Sequence, residues 1–237
     1  MGTITILDTT TRNPITLMGE RAGICWGADT GSPEKNYKRG PDCLESGHLR
    51  VAEYVNVEMV LDGYSARVIR EWYTHIGGMP TRLQASTRYI DYGEFEYVIP
   101  QSIRTHNGYD DALMIYEAAM ETISNSIAQL ESKGIPREDA AMLLPLGMTT
   151  KVVDKRNLRS LIDMSRQRMC QRAYWEFREM FHDIRKALAD YSDEWAMVAA
   201  TAMEPKCDVL GYCPEKHGCG RWPGEGESNG HEAEAAQ

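Results

Sequence analysis

The sequence predicts an α/β (α+β) chain, and three observations carry that expectation. Val51, Val55, Val57 and Met59 share one parity, the alternation of a half-buried strand. Over residues 110 to 133, Leu113, Tyr116, Met120, Ile123, Ile127 and Leu130 recur at three- and four-residue steps, the period of an amphipathic helix. The same spacing returns over residues 157 to 188. A chain of 237 residues can bury a full core. We read residues 1 to 205 as one domain, 206 to 222 as a Cys-rich extension, and 223 to 237 as a polar, disordered tail.

Taken in order, TITIL reads as a short strand, and GADTGSPEKNYKRGPD, rich in Gly, Pro, Asp and Lys, as a loop. A strand runs from Leu49, and helix formers after Gly63 predict a helix carrying Ile69 to His75. YGEFEYVIP alternates and stops at Pro100, which predicts a second strand. The helix over residues 110 to 133 ends at Gly134, and Pro136 with Glu138 and Asp139 suits the first turn of another. NLRSLIDMSRQRMCQRAYWEFREMFHDIRKAL reads as one continuous helix, with Leu161, Met164, Arg168, Arg172, Trp175 and Glu179 along a single stripe.

A net charge of -9 argues against a general nucleic-acid binder, which needs a clustered Lys/Arg surplus. Small anionic ligands remain open, because a local Arg cluster binds phosphate even on an acidic protein. No apolar run approaches the roughly 20 residues of a membrane helix, and MGTITILDTT lacks a signal pattern, so a cytoplasmic location is expected. Six cysteines, unevenly spaced, read as reduced thiols rather than a disulfide scaffold.

Two segments carry chemistry. THIGGMPTRLQASTRYIDYG, residues 74 to 93, holds no Cys or carboxylate before Asp91 that would serve as nucleophile or base. Its Gln84, Ser86, Thr87 and Arg88 suit a phosphate cradle, and a plain connecting turn fits the same spacing. His75 reads either as structural or as functional. On the long helix, Arg159, Arg168 and Arg172 suit planar recognition of phosphate or a pyrimidine edge. On the residues alone, a solvated face paired with Glu176 and Glu179 is the preferred reading.

The segment from residue 74 resembles the signature loop of flavin-dependent thymidylate synthases, in which Arg-His-Arg is followed by Ser, Asn-Glu, Ser, one residue and Arg-Tyr. His75, Thr81, Gln84, Ser86, Arg88 and Tyr89 take the matching places when two extra residues are allowed around GGMP. LLPLGMTT and NLRSLIDMSRQRMCQRAYWEF resemble the family's Leu-Pro-Leu segment and Asn-x-Arg-Ser-Leu helix, the latter without a gap over residues 157 to 177. The likeness covers residues 45 to 205 and points to a branch with a THIGG loop and a Cys-rich end.

The resemblance implies a central mixed or antiparallel sheet flanked by long helices, in a homotetramer whose active sites are shared between chains. It implies FAD as cofactor, with methylenetetrahydrofolate and NADPH as co-substrates in the conversion of dUMP to dTMP. No protein nucleophile takes part in that chemistry. Gln84, Ala85, Ser86, Thr87 and Arg88 would hold the nucleotide, with Glu71, Trp72, Tyr73 and Thr74 lining its pocket. Arg168 would be the catalytic residue, meeting the pyrimidine edge. Arg50, Glu53, His75, Ile76, Gln84, Asn157, Leu158, Arg159, Asp163 and Arg172 fall at flavin-contacting positions.

The chain departs from the pattern at Thr74 and Ile76, which replace both Arg of Arg-His-Arg, and at Leu83 and Gln84, which replace Asn-Glu. Ala141 stands for a nucleotide-binding Arg, and Asp163 and Arg172 for an Asn and a His, while Arg82 offers one charge in return. A methylase or hydroxymethylase acting on dCMP or dUMP is therefore a second reading. A third class is a non-catalytic interaction protein that carries zinc, because Cys207, Cys213, His217 and Cys219 place four possible ligands within thirteen residues.

Overall fold

The computed structural model describes residues 2–226. Its elements begin with β1 (Thr3–Ile6), α1 (Pro14–Cys25), α2 (Pro33–Glu45), a 3-10 turn (Leu49–Tyr54), β2 (Asn56–Ser65) and α3 (Ala66–Tyr73). Then come β3 (Thr81–Gln84), α4 (Gln101–Arg104), α5 (Tyr109–Ser132), α6 (Arg137–Ala140), a second 3-10 turn (Ala141–Leu143) and β4 (Thr149–Asn157). The rest is helical: α7 (Leu158–Arg168), α8 (Trp175–Tyr191), α9 (Asp193–Thr201) and α10 (Lys206–Leu210). The predicted α/β class is what is found. The described chain groups into two units, one of residues 2–7 and 58–155 and the other of residues 8–57 and 156–226. Residues 227–237 of the expected tail lie outside the described residues.

The first unit is built on a four-stranded sheet in the order β1-β2-β4-β3. β1 runs antiparallel to β2, with Thr3 opposite Asp62, and β3 antiparallel to β4, with Thr81 opposite Lys155. Alternation along β2 buries Met59 and Leu61, as period two requires. α3 starts where Ser65 Oγ accepts from Val68 N at 3.2 Å. The amides of Ala66 and Arg67 donate to the carbonyls of Met148 and Leu146, so the helix's first donors are satisfied. Val68, Ile69 and Trp72 form its buried face. α5 matches the predicted helix and ends before Gly134, whose φ of +83° suits glycine. Of its expected inward stripe only Met120 and Ile127 are buried, while Met114 and Ile115 are 63% and 70% exposed.

In the second unit α1 and α2 pack closely because two glycines permit it. A Cβ on Gly19 would lie 1.9 Å from the Asn36 carbonyl oxygen, and one on Gly40 would lie 2.3 Å from that of Ile15. Ile15 and Met18 of α1 are fully buried. α9 closes over the start of α1, where Glu194 accepts from Thr16 N at 2.9 Å and from its hydroxyl at 2.6 Å. A helix whose own Asn13 makes no capping bond is thus capped from elsewhere in the unit. Trp195 Nε1 donates to the Thr11 carbonyl at 2.7 Å, and Phe177 stacks on Phe181 within the core of α8.

Four expectations for single elements are corrected. The segment over residues 27–42, read as loop, contains most of α2. Ser32 caps it, Pro33 supplies the fixed φ of its first turn, and Glu34 pairs with Lys38 at 2.8 Å. The strand expected from Leu49 begins only at Asn56, after a 3-10 turn. YGEFEYVIP makes one isolated bridge, Tyr97 to Met148, since β4 beyond it is already paired with β3. The helix over residues 157–188 is two helices, α7 and α8. Ala173 N donates to the Cys170 carbonyl at 2.9 Å, and the Arg178 guanidinium takes the carbonyls of Gln171 and Ala173. Arg172 therefore leaves the stripe and sits in the turn between α7 and α8.

Candidate functional site

In the first unit the candidate nucleotide residues lie on the end of α3 and the segment that follows it. Glu71, Trp72 and Tyr73 form the last turn, and Thr74 closes it by donating its hydroxyl to the Glu71 carbonyl at 2.7 Å. Trp72 is fully buried and donates its indole N–H to Asp154 Oδ1 at 2.8 Å, so it positions this turn from below. Arg82, on β3, donates to the Tyr73 carbonyl at 3.0 Å and stacks over the Tyr73 ring at 4.3 Å. A cation on the last carbonyls of a helix is favourable there. Burial pushes the Tyr73 phenol up, while the Arg82 charge pulls it the other way.

That contact gives the Arg82 charge a place beside the helix end, next to Thr74. Arg82→Ala is expected to cost about 1–3 kcal/mol, from the lost charged hydrogen bond and the lost stack. Arg82→Lys should recover only part, because an ammonium lacks the planar fork. Chemical denaturation of the three proteins measures both.

Beyond His75, which is half-buried, the chain turns through Gly78 and Met79, both with positive φ, and Met79 is 91% exposed. Ile76 is exposed too. Gln84 is exposed and donates to the Thr150 hydroxyl at 3.3 Å, and Ala85 N continues the β3 pairing to the Lys151 carbonyl. Ser86 Oγ accepts from Arg88 N at 3.2 Å, a local turn that leaves Thr87 and Arg88 exposed. Arg88 Nε lies 2.9 Å from Glu138, an exposed ion pair that contributes little to stability and that an anionic ligand would readily replace. Arg137 donates to the Tyr89 carbonyl at 3.2 Å, so α6 holds this turn in place.

In the second unit Arg50 and Glu53 are exposed on the 3-10 turn before β2. Arg159 reaches Glu53 at 3.7 Å and Asp163 at 3.4 Å. Asn157 is the N-cap of α7, its Oδ1 accepting from Ser160 N at 2.9 Å, and Leu158 is fully buried with its amide on the Val55 carbonyl. Arg168, half-buried, holds its guanidinium 4.8 Å from the centroid of the Phe177 ring. Arg172 is exposed and pairs with Glu215 at 3.0 Å.

Arg168 and Arg172 line a cavity of about 460 Å³ together with the Cys-rich segment. Cys170, Cys207, Cys213 and Cys219 all line it as free thiols. Burial, then the charge of Asp208, pushes the Cys207 thiol up, which keeps it protonated at neutral pH. His217 is exposed and not part of the lining. Among the described residues no group of three or more His, Cys, Asp or Glu is arranged to hold a metal ion, so the four candidate zinc ligands are not assembled as a set. The sequence reading missed Arg166, Cys170, Lys206, Glu215 and Arg221 on this wall. No spacing links residues 166–173 to 206–221; only the cysteines at 207, 213 and 219, clustered apart from Cys170, hinted at it.

The family model described as thymidylate synthase complementing protein matches residues 5–191. The chain belongs to this family. Among its relatives, the flavin-dependent thymidylate synthase of Nitratidesulfovibrio vulgaris is 31% identical over 190 residues, covering 76% of this chain and 74% of the relative. That of Pyrococcus furiosus is 28% identical over 186 residues, covering 76% and 73%. That of Clostridium tetani is 28% identical over 232 residues, covering 86% and 88%. The thymidylate synthase complementing protein match starts forty residues before the likeness read from sequence, so α1 and α2 belong to the family fold.

The residues expected at flavin-contacting positions have the chemistry to suit a dinucleotide. A diphosphate needs cationic forks and amide donors. In the second unit Arg50 is exposed and Arg159 half-buried, and α7 begins at Leu158 with its first turn ordered by Asn157. The long contacts of Arg159 to Glu53 and Asp163 are weak enough to yield to a phosphate.

Proposed function

We infer that the chain is a flavin-dependent thymidylate synthase, an FAD-dependent methyltransferase that reductively methylates dUMP to dTMP with methylenetetrahydrofolate and NADPH. The observation that carries this reading is the family match over residues 5–191, which contains both the Ser86–Arg88 turn and Arg168. When bound, the flavin supplies the redox chemistry. Arg50, Asn157, Arg159, Asp163 and Arg172, with His75, Ile76 and Gln84, are the side chains assigned to hold it.

The nucleotide's phosphate is assigned to Gln84, Ala85, Ser86, Thr87 and Arg88, where backbone amides and an exposed guanidinium suit an oxyanion. Arg168 is assigned to the pyrimidine edge. A guanidinium there stabilises the negative charge that develops as N3 loses its proton, which makes C5 the nucleophile. Residues 74–90 contain no thiol or carboxylate, which agrees with a reaction that needs no protein nucleophile.

Ala141 favours a second reading within the same chemistry. It opens the 3-10 turn directly after α6, whose Glu138 holds Arg88, and it brings no charge where the family pattern has Arg. A substrate such as dCMP, or a hydroxymethylated product, would follow from a changed nucleotide grip. The mass of the product separates the two.

The protein is proposed to be a cytoplasmic homotetramer, supported by exposed Met114 and Ile115 on α5. No helix among the described residues is long and apolar enough to cross a membrane. Zinc on the Cys-rich segment rests on three thiols sharing one cavity, and elemental analysis of purified protein checks it. The main reading is tested by FAD titration. A purified sample that takes up FAD and turns yellow supports it, and a colourless sample with no uptake contradicts it.

A further inference from the structure

The cavity beside Arg168 has an unbalanced charge. Arg166, Arg168, Arg172, Lys206 and Arg221 line it, against a single carboxylate, Glu215. Glu215 is taken by Arg172 at 3.0 Å, and Arg221 is taken by Asp208 at 2.7 Å. With Arg172 and Arg221 so engaged, Arg166 and Lys206 bring two further positive charges to this cavity of about 460 Å³ and take part in no ion pair among the described residues. The Nε of Arg166 is buried and has no hydrogen-bond partner. A buried donor on a charged group is unfavourable when unsatisfied, and like charges converging on a concave site repel unless an anion enters.

We propose that this cavity binds an oxyanion-bearing group, phosphate or carboxylate, of a ligand, with Arg166 and Lys206 as its anchors. The Cys-rich segment is then one wall of a binding site rather than an appendage, since it contributes Lys206, Glu215 and Arg221. Glu215 acts as a positioning residue: it holds Arg172 to that wall and leaves Arg166 and Lys206 to the ligand. The place of this site in catalysis rests on the role given to Arg168 above, while the binding itself follows from charge and burial.

Calorimetric titration of the purified full chain with inorganic pyrophosphate tests it, on the wild type, Arg166→Gln and Lys206→Gln, each with and without saturating dUMP. The expected result is one pyrophosphate per chain, with affinity about tenfold weaker in each variant, a loss of about 1.4 kcal/mol. Binding that persists with dUMP assigns the oxyanion to a co-substrate, and binding that dUMP displaces assigns it to the nucleotide. No binding to the wild type, or wild-type affinity in both variants, overturns the proposal. Lys206 is exposed, so its variant carries the test if Arg166→Gln fails to fold. dTMP formation on the same preparations is read separately, so product made without pyrophosphate binding counts against this site alone.

Discussion

Arg168→Ala is expected to lower the turnover of dUMP about 10²–10³-fold, the loss that follows if its proposed role as a donor aimed at developing charge is removed. The chain should remain folded. Arg168 is half-buried, and its guanidinium lies over the Phe177 ring at 4.8 Å, a contact that contributes about 0.5–1 kcal/mol. Arg168→Lys keeps the charge but not the planar fork, so it should recover a minor part of the rate. Steady-state kinetics beside a thermal unfolding curve separates the two effects. Turnover that survives in the alanine variant removes Arg168 from the chemistry, whatever happens to stability.

Trp72→Ala is expected to cost about 3–5 kcal/mol, a large share of the roughly 5–15 kcal/mol by which a domain is stable. The indole is fully buried and its N–H reaches Asp154, itself fully buried, at 2.8 Å. Truncation leaves both a cavity and a carboxylate stripped of a donor. Trp72→Phe keeps most of the ring and isolates the second term, with an expected loss of about 1–3 kcal/mol. Because Trp72 underlies the turn carrying Glu71, Tyr73 and Thr74, nucleotide affinity should fall along with stability. Urea denaturation gives the stability, and a phenylalanine variant as stable as the wild type would mean the hydrogen bond contributes nothing.

How far the sequence could be read depended on how local the cause was. α5 was legible because its stripe and its terminating Gly134 are both written within one segment. α2 was not, since Gly, Pro and Lys look like loop punctuation, and its place depends on Gly19 and Gly40 allowing two backbones to approach. The break between α7 and α8 was also hidden. Good helix formers run through it, and what stops the helix is the side chain of Arg178 claiming two carbonyls. YGEFEYVIP had strand chemistry but no free strand to pair with.

The candidate site divides in the same way. The Ser86–Arg88 turn and Arg168 stand out as motif residues, and the structure places them on an exposed turn and a cavity wall. Trp72, Leu158 and Asn157, named for the same pockets, also serve the fold as a buried anchor, a core residue and a helix cap. Their proximity to ligand positions in the sequence pattern does not distinguish touching a ligand from holding the residues that do. Arg166, Lys206 and Arg221 escaped because their shared cavity is a product of folding, not of spacing.

The measurement that bears most directly on the central claim is an anaerobic reaction of the full chain with FAD, NADPH, methylenetetrahydrofolate and dUMP, with the nucleotide product identified by mass. The expected product is dTMP, formed only when all four are present. Unchanged dUMP in protein that has bound FAD, or methylation that continues when flavin and NADPH are withheld, would contradict it.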